Sequence, residues 1–495
     1  MIPRTRAPGR HAPPALEGVP LPAGDGQREA QGEVGRRTLH IPSRRRAPVA
    51  RFTWRWRELG LLVLAALPSL CGVLVLSMIL ELPLADTRFR PVFAFLLLLL
   101  GCHTALSLGR SRADEVLLPL TGALAGIGLL LVTRLVPVLA QRQLMWTVVG
   151  AAVMLIAAIG PWDVRLLERY KYTAAAAGIA LVALTLVFGI DPNGSGARLW
   201  IGFGGFTFQP SEILKVLLVV FLAGYLADKR ELLSVTQVRL GLIRLPPLPY
   251  LAPLFAMWGI SLTLLVWQRD LGAALLFFGV FLVMLYVAIG QIRYVVAGMA
   301  LFFAGAIPAY FLFSHVRLRV EVWLNPWVDP QGRSYQIAQA LYALGSGGLF
   351  GAGFGNGYPL YVAAVHTDFP FVALAEEGGL VAVLALLLLY ALLATRGLQV
   401  ALAARLPFNR LLAAGLSSVL ALQAMVIIGG NLKLIPLTGV TLPFVSYGGS
   451  SLLANFLILG VLLRMSHEEH AMNLLRGSSA PRFLSKLPWT ARSRP

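Results

Sequence analysis

Acidic side chains are scarce in this 495-residue chain, with 23 Asp and Glu against 42 Lys and Arg. Charged residues of both signs make up only 13% of the total, about half the roughly 25% of a soluble domain, which excludes an ordinary water-soluble globule. Cysteine is scarcer still. The two present, Cys71 and Cys102, fall inside apolar runs, so they read as packing residues and not as a disulfide or metal pair. His103 beside Cys102 reads likewise as a helix-packing histidine. A secretory signal is also missing: the basic N-terminal stretch is far too long and no small-residue cleavage site follows it.

Apolar sequence is abundant: hydrophobic residues reach 57% and mean hydropathy is +0.74. Runs long enough to cross a bilayer as helices recur about twelve times, near 59–80, 91–109, 116–133, 144–160, 172–190, 212–227, 250–267, 271–290, 294–313, 370–395, 410–430 and 442–463. The run at 212–227 is short and opens with Glu212 and Lys215. The expected fold is an all-α polytopic membrane protein of about twelve transmembrane helices, because spans packed together satisfy their own backbone hydrogen bonds.

The net charge of +19 gathers in the tails. Residues 1–57 hold twelve Arg against four acids, and 464–495 hold six basic residues against two. Nucleic-acid binding is one reading of such tails, but no nucleic-acid-binding signature accompanies them, and positive charge retained in the cytoplasm beside the first and last spans explains them better. Residues 1–57, rich in Arg, Pro and Gly, read as disordered. An even span count puts both termini in the cytoplasm. The inside loops then hold Arg110, Arg112, Arg165, Arg169, Lys171, Lys229, Arg230, Arg239, Arg244, Arg293, Arg396, Arg405 and Arg410, whereas the 56-residue outside loop 314–369, between spans nine and ten, holds only Arg317, Arg319 and Arg333.

Four polar segments are thereby expected on the outer face: 191–211, 268–270, 314–369 and 430–441. Asp270 is the only acid between Glu231 and Glu321, and it stands at the junction of two apolar runs. A carboxylate beside hydrocarbon is costly, so it points to a functional site; the plainer alternative is a boundary residue held by Arg269. Glu212 and Lys215 share a helix face at i, i+3, either as a neutralising ion pair or as the polar floor of an external cavity. Asn193-Gly-Ser195 matches a glycosylation sequon, a weak signal. In the long loop, Gln336 and Gln339 present two amides on one face of an expected helix. The segment Gly345–Gly357 is no phosphate-binding P-loop, since no Gly-Lys-Ser/Thr closes it; it reads as a flexible or re-entrant segment. His366, Asp368, Glu376 and Glu377 could gather at a metal, but no pair has a specific ligand spacing. Two prolines and small polar residues in 436–451 suggest a broken, close-packed helix start.

These motifs together resemble the SEDS family, the RodA/FtsW/SpoVE-type polytopic glycosyltransferases of bacterial cell-wall synthesis. The resemblance covers about 115–467 and rests on Ala197-Arg198, Trp200, Gln209-Pro-Ser-Glu212, Lys215, Gln268, Asp270-Leu-Gly272, Tyr335-Gln336, Gln339, the glycines 347–353, His366-Thr-Asp368-Phe, Glu376-Glu377 and Pro436 through Ser451. It implies a ten-helix core over 116–467, two additional helices over 58–115 and a basic cytoplasmic tail over 468–495. The chain departs from the family pattern where Arg269 replaces a common proline, at Leu199, at Gly378 and at Thr438. The Arg269-Asp270-Leu-Gly form and the ending Arg464…His467 look more RodA-like than FtsW-like.

What the resemblance implies is polymerisation of lipid II into β-1,4 glycan on the outer face of the cytoplasmic membrane, with inversion and release of undecaprenyl diphosphate. Asp270 would be the general base. Arg198, Lys215, Arg319 and Lys433 are candidates for the diphosphate, and Gln336, Gln339, Asp368 and Ser446 for orienting sugar or peptide, with Glu212 and Glu377 completing the candidate set. No tightly bound cofactor is implied; a loosely held Mg²⁺ or Mn²⁺ on the diphosphate is compatible. The family's usual partner is a monofunctional class B penicillin-binding protein. A lipid II flippase and a non-catalytic scaffold for a transpeptidase are the rival readings, and the absence of a clear internal repeat weighs against a transporter.

Overall fold

The computed structural model describes residues 54–191, 198–203, 206–235, 238–240, 243–245 and 248–477. The basic N-terminal tail up to residue 53, the sequon at 193–195 and residues 478–495 lie outside the described residues.

The chain is a helical bundle. In order come α1 (Trp56–Ile79), α2 (Arg90–Leu108), α3 (Leu117–Leu135), α4 (Pro137–Ile159), the short α5 (Arg165–Arg169), α6 (Lys171–Phe188), the hairpin β1 (Ile201–Phe203) and β2 (Phe206–Phe208), and α7 (Pro210–Val235). A second hairpin, β3 (Val238–Leu240) and β4 (Ile243–Leu245), leads to α8 (Leu248–Trp267), α9 (Leu271–Ile289) and α10 (Ile292–Leu312). The long loop carries α11 (Ser314–Leu324) and α12 (Tyr335–Gly347), and α13 (Pro370–Ala403), α14 (Pro407–Asn431) and α15 (Gly449–Gly477) follow. Both hairpins are antiparallel.

Among the described residues eleven helices are long and apolar enough to span a membrane, and α8 is a further helix of 20 residues, apolar from Phe255 to Trp267. Each expected run has its helix, including the doubtful one at 212–227, which lies inside α7. Proline opens α4, α7, α13 and α14, where a missing N–H costs nothing and the fixed φ suits the first turn. The last run differs from expectation. Residues 442–448 are irregular and α15 begins only at Gly449, because Pro443 lacks a donor and Gly439 and Phe444 both take positive φ.

Helices α3, α7, α14 and α15 form the interior; α3 is buried almost throughout, and α10 at the periphery packs chiefly on α9 and α11. Close approach relies on missing side chains. A Cβ at Gly128 would strike the Phe444–Val445 backbone, which is how α3 supports the irregular segment before α15.

Cys71 is exposed and Cys102 buried, both as free thiols. His103 does more than pack. Its Nδ1 lies 2.7 Å from Glu58 Oε1, and Glu58 also pairs with Arg55 at 2.5 Å. Arg55 donates in turn to the carbonyls of Ser111 and Asp114. This buried group ties α1 to α2 and to the turn before α3, each charge having a partner as burial demands.

Candidate active site

At one end of the bundle the hairpin β1–β2, the α8–α9 junction, the long loop and the segment before α15 meet. Their meeting point is Asp270. The chain leaves α8 through Gln268, held at 2.8 Å by Thr185 Oγ1, and turns at Arg269, whose φ is +65°. Asp270 then caps α9: its Oδ1 accepts from the N–H of Ala273 at 3.0 Å. Its Oδ2 accepts from Gln209 Nε2 and Ser211 Oγ, each at 3.2 Å. Gly272 makes the arrangement possible, since a Cβ there would fall 2.5 Å from Thr438 O.

Enclosure by protein pushes the Asp270 carboxyl above its ordinary range, against the Ala273 N–H, which favours the charged form; Glu212 adds to the rise, and Ser211 and Arg319 oppose it. The cation acting on Asp270 is therefore Arg319, from α11, and not its exposed neighbour Arg269. Arg319 Nη1 donates to the carbonyls of Leu437 at 3.3 Å and Thr438 at 3.1 Å. Burial draws the guanidinium's own pKa down, while Asp270 and Asp368 draw it up. Asp368, on the approach to α13, is raised to about 6 by burial, with the Thr367 hydroxyl and Arg319 opposing. Burial lowers His366, which therefore stands neutral near pH 7, its ring 5.8 Å from that of Tyr447.

Beneath Asp270 lies a buried polar network. Lys215 Nζ donates to Glu212 Oε2 (2.5 Å), Gln423 Oε1 (2.9 Å) and Asn455 Oδ1 (3.1 Å). An ammonium has three donors, and all three are used inside the protein. Gln423 continues to Thr441 O, Thr441 Oγ1 donates to Ser451 Oγ at 2.7 Å, and Ser450 Oγ accepts from the N–H of Gln209. Ser446 is buried, its hydroxyl accepting from the N–H of Leu442.

The candidates thus separate into groups. Asp270, Glu212, Lys215, Arg319 and Asp368 share one electrostatic neighbourhood. Lys433 lies at the far end of α11, where it donates to Leu324 O at 3.5 Å while Trp323 Nε1 donates to Lys433 O. Gln336 donates to Ala363 O at 3.0 Å, with Gln339 half-buried on the same helix. Glu377 belongs elsewhere, 3.3 Å from Arg134. Arg198 is exposed at the entrance to β1. Gln209, Ser211, Gln423, Asn455, Thr441 and Ser450 were not among the expected site residues. Gln423 and Asn455 did carry a signal, as single amides within apolar runs. Among the described residues no three acidic, His or Cys side chains form a metal-binding group.

The family model described as "Cell cycle protein", for FtsW, RodA and SpoVE, matches residues 116–471. The peptidoglycan glycosyltransferase RodA of Mycobacterium tuberculosis H37Rv is 42% identical over 442 residues, covering 86% of this chain and 94% of that protein. Stage V sporulation protein E of Bacillus subtilis 168 is 36% identical, covering 66% of this chain and 86% of that protein. Among solved structures, one reported under structural coordination of polymerization and crosslinking by a peptidoglycan synthase complex aligns with a TM-score of 0.61 and 29% identity, over 72% of this chain and 99% of that one. The crystal structure of the Thermus thermophilus rod shape determining protein RodA aligns at 0.52 and 29%, over 72% and 98%. With its bundle, its polar cluster at one end and these relatives in agreement, the chain belongs to the FtsW/RodA/SpoVE family.

Proposed function

We propose that this protein polymerises lipid II on the outer face of the cytoplasmic membrane, with Asp270 as general base. Its activity is that of a peptidoglycan glycosyltransferase. The observation that carries the role of Asp270 is its setting: a carboxylate held by Ala273, Gln209 and Ser211 and raised in basicity by enclosure, with the charge of Arg319 acting on it. A carboxylate offers about four lone-pair sites, so one remains for a substrate hydroxyl.

In the reaction, the 4-hydroxyl of an acceptor GlcNAc attacks the anomeric carbon of a donor MurNAc. The new C–O bond forms as the bond from that carbon to the diphosphate oxygen breaks, and the electron pair leaves with undecaprenyl diphosphate. The hydroxyl proton passes to Asp270. Arg319 faces the charge that develops on the leaving group. Lys215, whose donors are all engaged, holds Glu212 and the floor beneath Asp270. A divalent ion brought in with the diphosphate would neutralise charge there, with substrate oxygens and water supplying most of its ligands.

A class B penicillin-binding protein is the expected partner. Peripheral α10, packed chiefly on α9 and α11, leaves a flank for its membrane span, and the long loop faces its outer domain. Both termini lie in the cytoplasm, in keeping with the basic residues at the opposite end of the bundle, where Arg464 donates to the carbonyls of Gly160 and Trp162.

Purified protein given labelled lipid II in detergent tests this reading, since no membrane exists there to flip across. Wild-type protein forms glycan and Asp270→Asn protein, folded alike, forms none. Glycan synthesis by the Asn variant at the wild-type rate would sink the assignment, and no polymer from wild type even with a transpeptidase present would favour transport or scaffolding.

A further inference from the structure

We propose that the turn Gly348–Gly351 after α12 is inserted in the outer leaflet, with Leu349 and Phe350 in contact with lipid acyl chains. The argument begins with a break in α13. Gly379 takes φ +67° and ψ −167°, which interrupts the helix inside its apolar stretch. In an unbroken helix Leu380 and Val381 would donate to the carbonyls of Glu376 and Glu377. Instead the N–H of Leu380 donates to Gly348 O at 3.1 Å and that of Val381 to Leu349 O at 3.2 Å. The two freed carbonyls accept from Ala352 and Gly353, at 2.9 and 3.0 Å. These two donors and two acceptors freed by the break are thus satisfied by residues 348–353. Backbone in hydrocarbon is tolerated only when its polar groups are bonded within the protein, and here both elements meet that condition through each other.

Glycine is required for this fit. A Cβ on Gly347 or Gly351 would overlap the backbone of α13, and one on Gly379 would overlap the backbone of the turn.

Depth follows from the sequence of α13. Its charge-free stretch runs from Gly378 to Thr395, between Glu377 and Arg396. Eighteen residues at 1.5 Å each extend about 27 Å, close to the ~30 Å hydrocarbon thickness of a bilayer. Leu380 and Val381 are the third and fourth residues of that stretch, so the backbone paired with them lies just inside its outer edge. At this level the turn exposes Leu349 (62%) and Phe350 (81%). Leu380, Val381, Leu384 and Leu388 of α13 are exposed apolar residues within the same charge-free stretch, and the turn is bonded to the first two of them. The occupant is acyl chain. The long loop is thereby fastened to the membrane at the tip of α12 as well as at its two ends.

Spin-label accessibility tests the proposal in full-length protein in liposomes, with Cys71→Ala and Cys102→Ala removing the native thiols. A nitroxide is placed by Phe350→Cys and, separately, by Leu349→Cys. Val328→Cys in the long loop serves as the water reference and Leu388→Cys as the hydrocarbon reference. Oxygen concentrates in hydrocarbon and a nickel chelate stays in water. The expected ratio of oxygen to nickel relaxation at both test positions is several-fold above that at residue 328, approaching that at residue 388. A ratio equal to that at residue 328 overturns the proposal, and so does protection from both relaxants, which would mean that protein covers the turn.

Discussion

Ser211 Oγ donates to Asp270 Oδ2 at 3.2 Å, and so joins the first turn of α7 to the cap of α9. The bond links two segments separated by the whole of α7 and α8, and it acts on the charged form of the acid. Hydrogen bonds to a charged group contribute roughly 1.5–3 kcal/mol. Ser211→Ala should therefore slow glycan synthesis at neutral pH by leaving a larger share of Asp270 protonated. Because Ser211 opposes the rise in the Asp270 pKa, its loss should also move the acid limb of the pH–rate profile to higher pH. An unmoved limb with a slower rate would mean that Ser211 only packs.

Asp368 gives a second titration. Its value of about 6 stands above the ordinary 3.8, so the folded protein binds this proton more tightly than the unfolded chain. The resulting stabilisation is complete below the unfolded value and is lost as pH rises through about 6. Asp368→Asn should flatten the dependence of melting temperature on pH between 3.8 and about 6, a window set by the two values. An unchanged slope would show that Asp368 is not the group titrating there.

Lys215 should matter for the fold as much as for the reaction. Lys215→Met leaves the Glu212 carboxylate and the side-chain oxygens of Gln423 and Asn455 without their donor. Breaking one side of a buried pair costs about 3–5 kcal/mol, which should appear as a clear drop in melting temperature in detergent. Adding Glu212→Gln should recover part of it, since the uncompensated charge is then gone. A single variant as stable as wild type would refute the role of Lys215 as the floor of the site.

How far the sequence carried this picture follows from the residues themselves. Twelve apolar runs were legible because hydrocarbon demands unbroken apolar length, and Asp270 stood out as a candidate because a lone acid between two such runs is costly. The cation whose charge bears on it was not. Arg269 is adjacent in sequence, but the tight turn at φ +65° leaves it exposed, and the arginine that opposes the rise in the acid's pKa is Arg319 on α11. Proximity along the chain was the wrong guide because tertiary packing chose the partner. The start of α15 was misplaced for a local reason, since hydropathy does not register Pro443 or the positive φ of Gly439 and Phe444. Gln423 and Asn455 were visible as single polar residues in apolar helices; what they bonded to was not.

Arg319 allows charge and geometry to be separated. Its guanidinium spans two carbonyls, Leu437 O and Thr438 O, while acting on both Asp270 and Asp368. Both bonds leave from Nη1; a lysine keeps the positive charge but, with a shorter reach and no planar guanidinium, does not place a donor at that position. Arg319→Gln removes the charge that holds Asp270 and Asp368 down, so both carboxyl pKa values should rise and the acid limb of activity should move to higher pH. Arg319→Lys should leave that limb near its wild-type position. Its defect should instead be a lower kcat with folding retained, because the loop 436–441 that α11 fastens over the site is less firmly placed. Comparing the pH–rate profiles of the two variants decides between the roles. If both shift the limb equally, the placement of the guanidinium rather than the charge alone sets the acidity of Asp270; if neither shifts it, Arg319 acts on the loop alone.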